Sequence, residues 1–219
     1  MKYGLALHTS SPALGLAIGS NAEDVRCQTW DLGRDTSNYL HPYLRDFLRP
    51  CTWQDLDWIA VANGPGGFTG TRLGVVTART LGQQLDIPVF AISSLAAIAW
   101  QSAQVGSVAE SHLLGKIAVS MPAQRGEVFA AVYNISNDDR NLQVILPETV
   151  FLAADWDAQL AGYQPTQHIV VPQSANLTDT VVGVLALARS GFDRGERPHW
   201  STALPFYGQH PVIEAAIVK

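Results

Sequence analysis

Apolar and polar residues alternate in short runs along the first part of the chain, and the alternation predicts strands. Lys2 to Leu7 brings in Leu5 and Leu7 and ends in the polar turn His8-Thr9-Ser10-Ser11-Pro12. A second strand is predicted over Leu14 to Ile18 and, after a turn at Ser20 to Asp24, a third over Val25 to Leu32. Short polar turns between such runs make a three-strand meander. The period then changes. Tyr39, Leu40, Tyr43, Leu44, Phe47 and Leu48 recur at i, i+1, i+4, i+5, i+8 and i+9, the apolar stripe of a helix. It runs from a cap at Ser37 or Asn38 to about Arg49, and Pro42 falls in or just after its first turn, where few backbone N–H groups are needed. A strand (Trp58 to Ala62), a glycine-rich corner, a helix (Thr71 to Leu85), a strand (Val89 to Ile92) and a helix from Ser93 complete the first half.

Gln104 to Gly115 is polar and rich in small residues, a candidate joint between domains. Beyond it, Lys116 to Ser120, Glu127 to Tyr133 and Gln143 to Phe151 read as strands. A helix (Ala153 to Leu160), a short strand (Ile169 to Val171) and a helix (Thr178 to Ala188) follow. The order βββαβα therefore occurs twice. Two such units predict an α/β chain of the actin-like class, a duplicated ribonuclease-H-like architecture with two lobes, residues 1–104 and a smaller 105–201.

The 219 residues are 47% apolar and 15% charged, so a substantial core is expected. The net charge of −5 and the lack of any Lys/Arg run argue against a chain that grips nucleic acid unaided. Two isolated cysteines, Cys27 and Cys51, read as reduced thiols, although they could pair. No apolar stretch reaches the ~18–20 residues of a membrane span, and a cytosolic chain is expected.

The densest signal is Asn63-Gly64-Pro65-Gly66-Gly67-Phe68-Thr69-Gly70-Thr71-Arg72-Leu73-Gly74, with five glycines and one proline between a strand and a helix. Glycine serves where φ is positive or where a backbone or ligand comes close. A helix N-terminus there also presents free N–H groups. Two uses stay open, a tight strand-to-helix corner or a ligand cradle. It is neither a Walker A loop nor a Gly-x-Gly-x-x-Gly fingerprint, since no Gly-Lys-Ser/Thr follows and the third position is Thr69. Farther along, Gly74, Ala78 and Gly82 lie four apart beside Leu73, Val76, Thr77 and Leu81. That small-residue groove suits close packing, either on the chain's own sheet or on another helix.

This corner resembles the Gly-Pro-Gly-Ser-Phe-Thr-Gly-Leu-Arg signature of the TsaB family, with Gly67 for Ser and Thr71 for Leu. Leu5 to Ser10 resembles the family's opening Ile-Asp-Thr-Ser strand. Leu40 to Leu48 is similar to its leucine-rich helix, Arg125 to Phe129 to its Gly-Glu-Val-Tyr strand, and Pro205-Phe206-Tyr207 to a late Pro-x-Tyr element. The resemblance implies a non-catalytic scaffold in the transfer of a threonylcarbamoyl group to the adenosine beside the tRNA anticodon. It implies a TsaD-like catalytic subunit and a TsaE-like ATPase as partners, a homodimer when alone, and tRNA contact only through the complex. It implies docking through Tyr39, Leu40, Tyr43, Leu44, Phe47, Leu73, Gly74, Ala78, Leu81 and Gly82, and a tail (202–219) packed on the first lobe. Thr9, Ser10, Gly64, Gly66 and Gly67 would be a vestigial adenine-nucleotide site, with no required cofactor.

Three departures weaken nucleotide chemistry. The family's first-strand Asp is His8, its Asp before Gly-Glu-Val-Tyr is Pro122, and its Leu-Arg after the late Tyr is Gly208-Gln209. A carboxylate suits Mg²⁺ and a neutral imidazole does not replace it. His8, His41, His112, His168, His199 and His210 supply no helical His-x-x-x-His pair for a metal. Ser10 and Ser11 lack a Gly-x-Ser-x-Gly elbow. The competing reading is an enzyme of the same fold, an ATPase or kinase or a glycoprotease-like peptidase.

Overall fold

The computed structural model describes residues 2–21, 23–105, 115–136 and 142–209. Both runs of alternating residues fold as strands of a sheet. β1 (Tyr3–His8), β2 (Ala13–Gly19) and β3 (Val25–Asp31) form the antiparallel meander. After α1 (Thr36–Leu48), β4 (Leu56–Ala62) lies parallel to β1. After α2 (Phe68–Leu85), β5 (Val89–Ile92) lies parallel to β4, and α3 (Ser94–Val105) follows. The sheet order is β3-β2-β1-β4-β5. The second half repeats it in shorter form. β6 (Gly115–Pro122), β7 (Glu127–Ile135) and β8 (Leu142–Leu152) make the meander, α4 (Ala153–Tyr163) crosses over, and β9 (Gln167–Val170) pairs parallel with β6. Its order is β8-β7-β6-β9, and α5 (Val181–Asp193) follows. Two meanders, each extended by parallel strands beside its first strand, are the duplicated ribonuclease-H-like, actin-like arrangement.

Period-two alternation assigns the faces. Leu5, Leu7, Ile59 and Val61 face α1 and α2 in one core, while Ala6, Ala17, Ala60 and Ala62 face α5 in another. The alanines let α5 lie close. In the second sheet Ile117, Val119, Ala131 and Tyr133 face α3, and Ala118, Ala130 and Val132 face Trp156 of α4. Helices α3 and α5 thus form a shared middle layer: α5 covers the first sheet, α3 the second, and they pack on each other. Gly183 permits that contact, since a Cβ there would sit 2.8 Å from the Ala97 carbonyl oxygen.

Helix α2 begins at Phe68, three residues before the Thr71 start read from periodicity, because the chain turns helical directly after Gly67. α1 starts at Thr36 with Asp35 at the cap position, ahead of the expected Ser37 or Asn38. The last helix opens as a 3-10 turn (Leu177–Thr180) whose entry Asn176 caps by accepting from the Thr178 N–H. The expected joint lies largely outside the described residues, as do residues 210–219 of the tail and His112 and His210. The described part of the tail straps across both sheets. Ala203 joins the first core, Phe206 N–H donates to the Asn63 carbonyl (2.7 Å), and Phe206 meets Phe129 of β7. No described helix is long and apolar enough to cross a membrane. Cys27 is exposed and Cys51 half-buried, and both are free.

Candidate functional site

The glycine corner is filled by the chain itself. Gly67 N–H donates to the Ser10 carbonyl (2.7 Å), and Thr9 Oγ1 donates to the Gly70 carbonyl (2.7 Å). A Cβ on Gly66 would lie 2.4 Å from the Ser10 oxygen, one on Gly70 2.0 Å from the Thr9 oxygen, and one on Gly74 2.3 Å from Thr9 Oγ1. Gly64 has φ +105° and its carbonyl accepts from Ser94 N–H (2.8 Å), tying the corner to the start of α3. Thr9 and Ser10, two of the residues expected at a nucleotide, are therefore wedged against the corner. Their packing leaves Ser10 Oγ and, across the corner, Thr71 Oγ1 buried without hydrogen-bond partners.

His8 is fully buried. Its Nδ1 accepts from Ser10 N–H (3.3 Å), which assigns the proton to Nε2. Burial pushes its pKa down to about 3, so it is neutral at physiological pH. Between that value and the ordinary one, the unfolded chain takes up a proton that the folded chain refuses, so stability falls as pH falls. Lowering the pH from 6.5 to 5 should cost about 2 kcal/mol through this one group. Urea melts at the two pH values check it. His8→Asn keeps an acceptor for Ser10 N–H and should remove that share of the pH dependence.

Beyond His8 opens a cleft of about 570 Å³ between the Ser10–Pro12 turn, the corner at Gly66–Phe68, the β6–β7 turn and the strap. Its aromatic lining is Phe68, Phe129, Phe206 and Tyr207, and its amides are Gln124, Gln173 and Gln209. Among the described residues no Lys, Arg, Asp or Glu lines it. Pro122 lines it as well. A metal–phosphate group needs carboxylates for the cation and cations or free amides for the phosphates. His8, sealed in the core, and Pro122 supply neither carboxylate, so the residues present do not fit that group. Glu127 is held by Gln209, whose amide also clasps the Gln124 backbone in both directions.

The remaining histidines stand apart. His41 is on exposed α1 surface, His168 Nε2 contacts Ser120 Oγ (2.9 Å), and His199 caps a turn through Ser201. Among the described residues neither the Ser10 nor the Ser11 hydroxyl has an imidazole partner; Ser11 Oγ donates to Asn176.

The ten residues expected at a docking face separate by burial. Leu40, Leu44, Phe47, Gly74, Ala78 and Gly82 are buried in the chain's own structure, the first two as core beneath α1. Gly82 gives room to Val89 and Trp200. Tyr39 is exposed, and Tyr43, Leu73 and Leu81 are half-buried. Val76 of α2 is 59% exposed. Phe68 and Tyr207, 46% and 38% exposed, stack at 4.9 Å at the mouth of the cleft. That aromatic pair escaped sequence reading because its members are far apart in the chain and each resembles ordinary core.

Residues 34–169 match the family described as TsaD, tRNA N6-adenosine threonylcarbamoyltransferase. The chain belongs to the TsaD/TsaB family. A Bacillus subtilis member named tRNA threonylcarbamoyladenosine biosynthesis protein TsaB is 34% identical over 154 residues, 69% of this chain. The matched part is 63% of that relative, so the chain spans less than two thirds of its length. The Escherichia coli protein of the same name is 24% identical over 176 residues, covering 73% of this chain and 71% of its own. In fold, the chain is similar to a Pseudomonas aeruginosa structure described as an uncharacterized protein with similarity to peptidase YEAZ. The TM-score is 0.73, at 24% identity over 95% of this chain and all of that one. The family match, residues 34–169, takes in part of each sheet.

Proposed function

We propose that this protein is a non-catalytic scaffold in the synthesis of threonylcarbamoyladenosine on tRNA, docking on a TsaD-like catalytic subunit and working beside a TsaE-like ATPase. Family membership supports the pathway. The observation that supports docking is the outer face of α1 and α2, where Tyr39, Tyr43, Leu73 and Val76 reach solvent while the inner stripe is committed to the core. Aromatic residues surrounded by apolar ones are typical anchors of an interface. Two adjacent helices can supply the ~800 Å² per partner that a stable contact needs, so the same face would pair two copies when the partner is missing. With a net charge of −5, the chain meets tRNA only through the complex.

Mixing the purified chain with a TsaD-like subunit tests this on a sizing column and in a reconstituted reaction. The two proteins should co-elute. The chain alone should modify no tRNA, cleave no peptide and turn over negligible ATP, and omitting it from the complete mixture should abolish modification. Efficient modification without it, or ATP turnover by the chain alone, overturns the scaffold reading in favour of an enzyme.

A further inference from the structure

The edge strands of the two sheets, β5 and β8, frame a second pocket of about 300 Å³, lined also by the start of α3 and by α5. It shares no lining residue with the cleft beside the glycine corner, and none of its lining comes from α1 or α2. Its apolar walls are Phe90, Ile92, Leu142, Val144 and Leu187. Three charged side chains line it, Glu148, Arg194 and Glu196. Two of them cancel, because the Arg194 guanidinium meets Glu196 at 2.8 Å. No Lys, Arg or His pairs with the half-buried Glu148 among the described residues. Glu148 is held through one oxygen instead: the fully buried Tyr133 hydroxyl donates to Oε1 at 2.5 Å. Behind Tyr133 stands Ser93 Oγ at 3.3 Å, which accepts from the Leu95 and Ala96 N–H groups at the start of α3. Tyr133 gives its one proton to the carboxylate, so Ser93 donates to Tyr133. Burial, and after it the Glu148 charge, push the Tyr133 pKa well above its ordinary value, and the donor keeps its proton. The carboxylate is thus fixed in place with its second oxygen, Oε2, accepting from no described residue.

We propose that this pocket binds a small free amine as its ammonium ion, with the N–H groups on Glu148 Oε2 and an apolar stem between β5 and β8. A half-buried carboxylate among apolar walls selects a cation that brings apolar surface of its own. The stem displaces water from the walls, and the ammonium supplies the counter-charge that the chain does not. A neutral stem of the same shape forgoes the charge-assisted hydrogen bond, and an anion is repelled by Glu148. The volume lies at the small end of ligand sites, so the stem is a single ring or a short chain. The proposal stands independently of docking on a catalytic subunit, because the pocket and the helices α1 and α2 are different parts of the surface.

The test titrates the full chain, labelled with nitrogen-15, at neutral pH with three probes that share one stem: phenethylamine, 2-phenylethanol and 3-phenylpropionate. Amide shifts should move around Ser93, Tyr133, Val144 and Glu148, with phenethylammonium half-saturating at about 1 mM or below. The alcohol should bind about tenfold more weakly, and the propionate should give no shift there. Glu148→Gln keeps an acceptor for the Tyr133 hydroxyl and should melt with the parent. It should weaken phenethylammonium about tenfold and leave 2-phenylethanol unchanged, whereas a merely structural loss would weaken both. Lysine capped as N-acetyl-lysine N-methylamide carries the same ammonium on a peptide. If it binds more tightly than phenethylammonium, the pocket receives a side chain of another protein and the free amine is excluded. No shift at 10 mM phenethylammonium (about tenfold above the expected half-saturation), equal binding of amine and alcohol, or unchanged selectivity in Glu148→Gln would each overturn the proposal. Each of these outcomes leaves co-elution with a catalytic subunit untouched, so the two readings fail separately.

Discussion

Gly70→Ala should destabilise the protein by about 2–3 kcal/mol, lowering the melting temperature by roughly 5–10 °C. The added methyl would sit 2.0 Å from the carbonyl oxygen of Thr9, and this neighbour is backbone, which no rotamer change can move. Alanine is the better helix former by up to ~1 kcal/mol, which offsets part of the clash without removing it. Gly67→Ser is the matched control. Its nearest neighbour is the Ser10 oxygen at 3.5 Å, and its backbone is the extended conformation of a helix cap. Serine is favoured at that position, and melts should show a change within about 0.5 kcal/mol or a slight gain. Equal losses in both variants would mean that the corner is rigid throughout rather than pressed on the first turn at one point.

These two glycines also show how far the sequence could be read. The corner's existence and its place between β4 and α2 follow from composition, and the element order follows from period. What the corner packs on does not, because Thr9 and Ser10 lie more than fifty residues away and nothing local marks them as its partners. Gly66 and Gly70 are pressed against the backbone of Ser10 and Thr9. The same limit applies to α1. Its stripe at i, i+1, i+4 and i+5 is legible, but a stripe wider than one sheet face reads alike whether its margin meets solvent, a partner or the next helix. Burial divides it: Leu40 and Leu44 go inward, and Tyr39 is left outside with Tyr43 half-covered, stacked on Trp30 at 5.0 Å. The cleft is the least legible feature. Its rings come from α2, β7 and the strap, and only the folded chain brings Phe68, Phe129, Phe206 and Tyr207 together.

Val76→Glu is expected to separate the protein from its catalytic partner, and from a second copy of itself, without unfolding it. Val76 is 59% exposed on the outer face of α2, so a carboxylate there stays in water in the free chain and costs little. Buried against an apolar surface it would have to be desolvated without a counter-charge. Tyr39→Ala removes a large exposed ring instead, and truncating an aromatic anchor costs about 2 kcal/mol or more, a ~30-fold loss of affinity. Together the two changes should abolish co-elution at micromolar protein and, with it, partner-dependent tRNA modification. Ala78→Arg tests the inner side of the same helix with the opposite expectation. Ala78 is completely buried against the first sheet, so an arginine there should unfold the chain rather than release a folded monomer. Circular dichroism and sizing on all three variants distinguish the outcomes. Val76→Glu and Tyr39→Ala should keep the parent melt and lose association, whereas Ala78→Arg should lose the melt itself. If the two outer variants remain associated, docking uses another surface, and α1 and α2 serve only the core beneath them.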